Sequence, residues 1–127
     1  PFHGTPLRKM CENMGLIKAR LAIEENKQGK ISIVTGIASK KVWRNKYRSM
    51  IKNYYEIYLK CSPEVCAKRD NKNIYKYADN LSKNNFPGIT DIYEESESTE
   101  LIIDTDKSDE ETSSKLILKN ILDYIKK

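Results

Sequence analysis

The 127-residue sequence predicts an α/β domain built on a parallel sheet. Three observations carry that reading. Short apolar runs rich in branched and aromatic residues, at Lys30–Ile37, Tyr55–Leu59 and Glu100–Thr105, read as strands. Around them lie segments whose apolar residues recur at three- and four-residue steps, the period of a helix face. Strand and helix alternate along the chain, as parallel sheets with crossover helices require. The length suits a single domain, 1–127, with one core.

Taken in order, residues 1–6 read as a loop that carries His3 at the surface. Leu7, Met10, Met14, Ile17, Leu21 and Ile23 then mark one face of a helix, or of two helices broken near Gly15, with Gly29 as the stop. Lys30–Ile37 is short and apolar enough to be a central strand. It runs into Ala38-Ser39-Lys40-Lys41, where open α/β sheets keep their ligand crevice. Ser39 opens a helix to about Lys52, with Trp43, Tyr47, Met50 and Ile51 packed and Arg44, Lys46 and Arg48 on a solvated basic face.

Tyr55–Leu59 is the next strand. Ser62 is placed to cap a short helix, Pro63–Lys68, with Pro63 at its first position. From about residue 69 to 91 the chain is polar and rich in Lys and Tyr, regaining apolar character only at Phe86-Pro87-Gly88-Ile89. A basic excursion of this kind after a capped helix predicts a lid over an anionic ligand. The acidic run Glu94–Glu100 reads as a solvated connection. After the strand Glu100–Thr105, Ser108 or Asp109 caps a last helix whose buried stripe is Leu116, Ile117, Ile121, Leu122 and Ile125.

The net charge of +5 and pI near 9.0 fit a nucleotide or another phosphorylated small molecule, more weakly a nucleic acid, or merely a Lys-rich compositional habit. Basic and acidic residues alternate and no aromatic–basic platform stands out, so nucleic acid ranks last as a partner. With His3 the only histidine, a histidine-based triad or multi-His metal site is excluded, and no metal ligands are predicted. Cys11, Cys61 and Cys66 lack metal spacing, and Cys61 at a strand end and Cys66 in a short helix read as small core residues in a reducing cytosol. No apolar run approaches the roughly 18 residues of a membrane span, and no signal-peptide pattern is present. The expectation is a soluble, cytoplasmic protein without a membrane partner; a homodimer is one arrangement the sequence leaves open.

Several segments in fixed order then resemble one family. EIYLKCSPEVCAKRD (56–70), KNIYKYA (72–78), NFPGI (85–89), IYE (92–94) and ELIIDTD (100–106), together with VTGIAS (34–39), resemble the C-terminal part of adenylylsulfate kinases. The resemblance implies a P-loop kinase-like parallel sheet with helices on both faces, here incomplete at its N-terminus. It implies transfer of a phosphoryl group from ATP, with Mg²⁺, to the 3′-hydroxyl of adenylylsulfate. Ser39 falls where the family has a serine described as a phosphorylated intermediate; an ordinary helix N-cap is the alternative for it. Arg69 and Lys72 fall on the nucleotide and lid. Lys76, Phe86, Gly88, Ile89 and Asn13 fall on the nucleotide substrate, with Phe86 stacking on its adenine. Cations for phosphates and a flat apolar face for a purine are what such a site needs.

The sequence also departs from the family pattern. Lys40 replaces a proline, Val42 an arginine, Asn73 a glycine, Asp79 an arginine and Pro87 a threonine, while Gly15 and Leu16 stand where two arginines belong. The strand KNYYEIYLKC is similar to a branch of kinase-like paralogues in surface-polysaccharide pathways, one of which acts on a cytidine diphosphoramidate. No G-x-x-x-x-G-K-[ST] loop occurs in the 127 residues, so nothing here cradles ATP phosphates as that loop does. Three expectations follow: a piece of a complete kinase, inactive by itself; a catalytically dead paralogue that binds nucleotide; or a non-enzymatic interaction domain.

Overall fold

The structure, a computed structural model, describes residues 6–69 and 92–127. The predicted lid lies outside the described residues apart from Arg69, and Lys72, Lys76, Phe86, Gly88 and Ile89 lie outside them too. The element order is α1 (Pro6–Lys27), α2 (Lys41–Met50), β1 (Ile57–Lys60), α3 (Pro63–Lys68), β2 (Leu101–Asp104) and α4 (Glu110–Ile125). This is the predicted mixed α/β class with a small parallel sheet. The described residues group into two compact units, one running to Tyr54 and including residues 92–96, the other beginning at Tyr55 and including Glu97–Lys127.

In the first unit, α1 is one helix that runs unbroken through Gly15. It stops at Gly29 as expected. Gly29 takes a φ of +79°, its N–H donates to Asn26 O (3.0 Å), and the Lys30 N–H donates to Glu25 O (3.2 Å). That pair of bonds is a Schellman motif, which needs a left-handed residue and so favours glycine.

The buried face of α1 differs from the predicted one. Met14, Ile17 and Leu21 are more than half exposed, whereas Ala19 and Ala22 are buried and Leu16 is partly covered. The reason lies in α2. Its Trp43 and Tyr47 are buried against Ala19, with Leu16, Met50, Ile51 and Tyr54 around them, and two large aromatic rings require small residues opposite. Trp43 is therefore core, as its spacing predicts.

The expected strand at Lys30–Ile37 is not formed. Among the described residues β1 pairs with β2 alone, and an isolated extended run has no ladder to join. The segment is tied to α1 by polar contacts instead: Lys18 Nζ donates to Thr35 O (2.8 Å) and Ser32 Oγ to Ala22 O (3.4 Å). Ile31, Ile33, Val34 and Ile37 are exposed.

In the second unit β1 and β2 pair in parallel, Ile57 with Leu101 through Lys60 with Asp104. Both strands are shorter than predicted, and Ile103 is the most deeply buried apolar side chain among the described residues. The predicted cap of α3 is present: Ser62 Oγ accepts from the Val65 N–H (3.4 Å), with Pro63 at the first turn. Asp109, not Ser108, caps α4, its Oδ1 accepting from the Thr112 N–H (2.7 Å). The covered face of α4 is also rotated from expectation. Leu116, Leu122 and Ile125 are exposed, while Ser113 is buried, Ile117 and Ile121 are partly covered, and Tyr124 sets its ring 5.0 Å from that of Tyr55.

Candidate functional site

Two clusters hold the sequence-predicted residues that the structure describes, one in each unit.

In the first unit the centre is the turn Ala38–Lys41. Ala38 has φ +38°, a conformation that costs an L-residue about 1–2 kcal/mol. Ser39 is buried, at 2% exposure, and is not the N-cap residue of α2. The cap position belongs to Lys40, whose side chain makes no capping hydrogen bond, and Lys41 opens the helix. The expected start of this helix at Ser39 is thus corrected by two residues. Two lysines at the positive end of a helix dipole, with no acidic residue in the first turn, are locally unfavourable by a few tenths to about 1 kcal/mol each.

The compensation comes from far along the chain. Glu94 Oε1 accepts from the Lys41 N–H at 2.8 Å, so a carboxylate from the 92–96 segment does what Ser39 was expected to do. The Glu94 N–H donates to Ser39 O at 2.9 Å. Arg44 closes the circuit: Nη1 donates to Ala38 O at 2.6 Å and Nη2 to Glu94 O, with the guanidinium 4.4 Å from the Tyr93 ring centroid. Arg44 is only 4% exposed. At roughly 1 kcal/mol for each hydrogen bond, and more for those to charged groups, these contacts outweigh the strain at Ala38.

Arg44 and Glu94 are the residues that sequence reasoning missed, since one was assigned to a solvated basic face and the other to a solvated acidic connection. The available signal was the pair Lys40-Lys41 at a helix start without an acidic partner nearby. Asn13 is exposed on α1. Gly15 faces Tyr47: a Cβ there would stand 2.6 Å from Tyr47 Cζ and closer still to the hydroxyl.

In the second unit the cluster lies at the carboxyl ends of β1 and β2, where parallel sheets bind ligands. Thr105 follows β2, and both its N–H and its hydroxyl donate to Lys60 O, at 2.8 and 2.9 Å. Arg69, the C-cap of α3, donates from Nη2 to Thr105 O at 2.8 Å. Asp106 accepts from the Ser62 N–H at 3.1 Å, and this bond, with help from the Ser62 hydroxyl and Arg69, holds its carboxyl below the usual range. Burial, reinforced by the neighbouring Cys66 thiol, pushes the Cys61 thiol up to about 11. Cys61 and Cys66 are partly buried free thiols. An exposed guanidinium fixed at a strand end is suited to anionic oxygens. Among the described residues no group of three or more His, Cys, Asp or Glu converges on a metal position, and no helix is long and apolar enough to cross a membrane.

Comparison with known proteins agrees with the ordered motifs. A family model described as adenylylsulphate kinase matches residues 9–104. An adenylyl-sulfate kinase of Clostridium acetobutylicum is 40% identical over 99 residues, covering 77% of this chain and 48% of that protein. One from Thermodesulfovibrio yellowstonii is 40% identical over 100 residues, covering 77% of this chain and 50% of its own length. A probable adenylyl-sulfate kinase of Archaeoglobus fulgidus is 31% identical over 112 residues, covering 80% and 72%. The chain spans about half the length of the first and second of these relatives. On the family match over most of its length, this chain belongs to the adenylylsulphate kinase family.

Proposed function

We propose that the full-length protein containing this sequence transfers the γ-phosphoryl group of ATP to the 3′-hydroxyl of adenylyl sulfate in the cytoplasm, as a step of sulfate activation. The observation that carries the reading is the family match over residues 9–104, which spans both clusters up to Asp104. The 3′-oxygen forms the new P–O bond, the bond to the β-phosphate oxygen breaks, the hydroxyl proton leaves to solvent or a base, and ADP departs. In this reading Arg69 meets ATP phosphates from the end of β2, while Lys76 and Phe86 hold the acceptor, with Gly88, Ile89 and Asn13 beside it and Lys72 on the lid. Catalysis comes from positioning and charge stabilisation, so Ser39 needs no nucleophilic role.

Mg²⁺ accompanies ATP as the counter-ion to its phosphates. The described residues offer no cluster to hold it, and no step is assigned to it through them. A phosphate-cradling loop outside these 127 residues is part of the proposal. It is supported by the greater length of the relatives and by the extended apolar residues Ile31, Ile33 and Val34, which lack a ladder partner among the described residues.

A second reading keeps the kinase and changes the acceptor to another nucleotide, such as a cytidine diphosphoramidate. It is favoured by Gly15, where the packed ring of Tyr47 leaves no room for the arginine of the family pattern. Full-length protein incubated with ATP, Mg²⁺ and either acceptor, with ADP and phosphorylated product measured together, separates the two. Product from adenylyl sulfate supports the first reading, product from the cytidine nucleotide alone supports the second. Absence of turnover with both, combined with no thermal stabilisation by ATP, overturns the kinase reading.

A further inference from the structure

We propose that Arg44 and Glu94 are a positioning pair that sets the Ala38–Lys41 turn for the acceptor nucleotide; the inference rests on the kinase reading above. Arg44 is withdrawn from solvent, whereas Glu94 is exposed yet tied to the turn by backbone and carboxylate. Arg44 is buried, and its two outer nitrogens bridge the Ala38 and Glu94 carbonyls. Glu94 engages the turn from its other side, through its own N–H to Ser39 O and its carboxylate to the Lys41 N–H. Every backbone group these contacts use belongs either to the turn or to Glu94. The two residues are 50 positions apart in sequence, so the clamp exists only in the folded state.

A left-handed alanine held this way is the pattern expected where geometry matters, because a strained conformation persists only if its surroundings over-determine it. The turn belongs to the same unit as Asn13 and Gly15, and α1 meets α2 at Gly15 and Tyr47. The resemblance places an acceptor contact at Asn13, with the replaced family arginines at Gly15 and Leu16 on the same helix. The pair therefore acts on the acceptor through the turn, while ATP, assigned to Arg69, is affected less. Arg44 suits the role better than lysine would, because a planar fork spans two carbonyls at once and an ammonium reaches one.

The test is steady-state kinetics on the full-length protein and on Arg44→Met, Arg44→Lys, Glu94→Ala and Glu94→Gln, with thermal unfolding of each. Arg44→Met and Glu94→Ala are expected to raise the acceptor KM about 10- to 100-fold with the ATP KM within about twofold, the size of effect a small misplacement causes. Glu94→Gln should restore most of it, because an amide oxygen still accepts from the Lys41 N–H, and Arg44→Lys should fall between. Acrylamide quenching of Trp43, the only tryptophan in this sequence and adjacent to Arg44, should rise in the variants whose acceptor KM rises. If kcat falls in proportion to the folded fraction while both KM values hold, in the lysine and glutamine variants as well, the pair is merely structural and the proposal is overturned. Wild-type protein with no turnover on either acceptor and no thermal stabilisation by ATP overturns the kinase reading itself, a result reached before any variant is compared.

Discussion

Tyr47 packs its ring directly over Gly15, so that α1 and α2 approach through the one α1 residue there without a side chain. A methyl group at Gly15 gains helix propensity of about 1 kcal/mol but meets a ring that is itself buried and cannot swing aside cheaply. Overpacking of about 1–3 kcal/mol outweighs the gain. Gly15→Ala is expected to lower stability in urea denaturation, and Tyr47→Phe in the same background to return part of the loss by removing the closest atom. A Gly15→Ala protein more stable than wild type would show that the helices separate freely at this point.

Ala38 offers the opposite case. Its φ of +38° is costly for alanine and nearly free for glycine. Ala38→Gly should therefore be neutral to stabilising, by up to about 1 kcal/mol once the added freedom of the unfolded chain is deducted. Ala38→Val should destabilise by more than that, since a branched Cβ worsens the same clash. Chemical denaturation midpoints at constant m-value read both outcomes.

Acid stability follows from Asp106 and Asp109. Both carboxyls are held below the ordinary value of 3.8, Asp106 chiefly by the Ser62 N–H and Asp109 chiefly by the Thr112 N–H. A depressed folded-state pKa means the unfolded chain takes up protons first as pH falls. The stabilisation is complete above the unfolded value and is lost as pH drops from about 4 through the lower folded values. Asp106→Asn and Asp109→Asn keep an acceptor oxygen but cannot titrate. Each should flatten the decline of the melting temperature as pH falls below about 4, and the double variant should flatten it further.

The Cys61 thiol, raised from 9.0 to about 11 first by burial and then by its neighbouring thiol, has its thiolate fraction at pH 8 cut by about a hundredfold. Iodoacetamide should therefore label Cys61 slowly in the native protein at pH 8, with the rate still climbing above pH 10. In denaturant the rate should reach that of an ordinary thiol. Peptide mass analysis of labelled protein over a pH series checks this, and rapid native labelling at pH 8 would contradict it.

What the sequence by itself determined is local. The Schellman stop at Gly29, the Ser62-Pro63 start of α3 and the Asp109 cap of α4 each rest on hydrogen bonds spanning six residues or fewer, so the residues that decide them lie side by side. The ordered motifs from Glu56 to Asp106 likewise identified the family without any structure. Periodicity misjudged which face of α1 is covered, because Trp43 and Tyr47 on α2 pack against the small Ala19 and leave Met14, Ile17 and Leu21 exposed; on α4 it missed Tyr124, whose ring meets that of Tyr55. The run Lys30–Ile37 has strand composition, yet a strand exists only where a second one supplies its ladder. Glu94 read as solvated and Arg44 as a surface cation. Tertiary folding brought them together across 50 residues of sequence, onto a strained turn whose conformation depends on partners that no local pattern encodes.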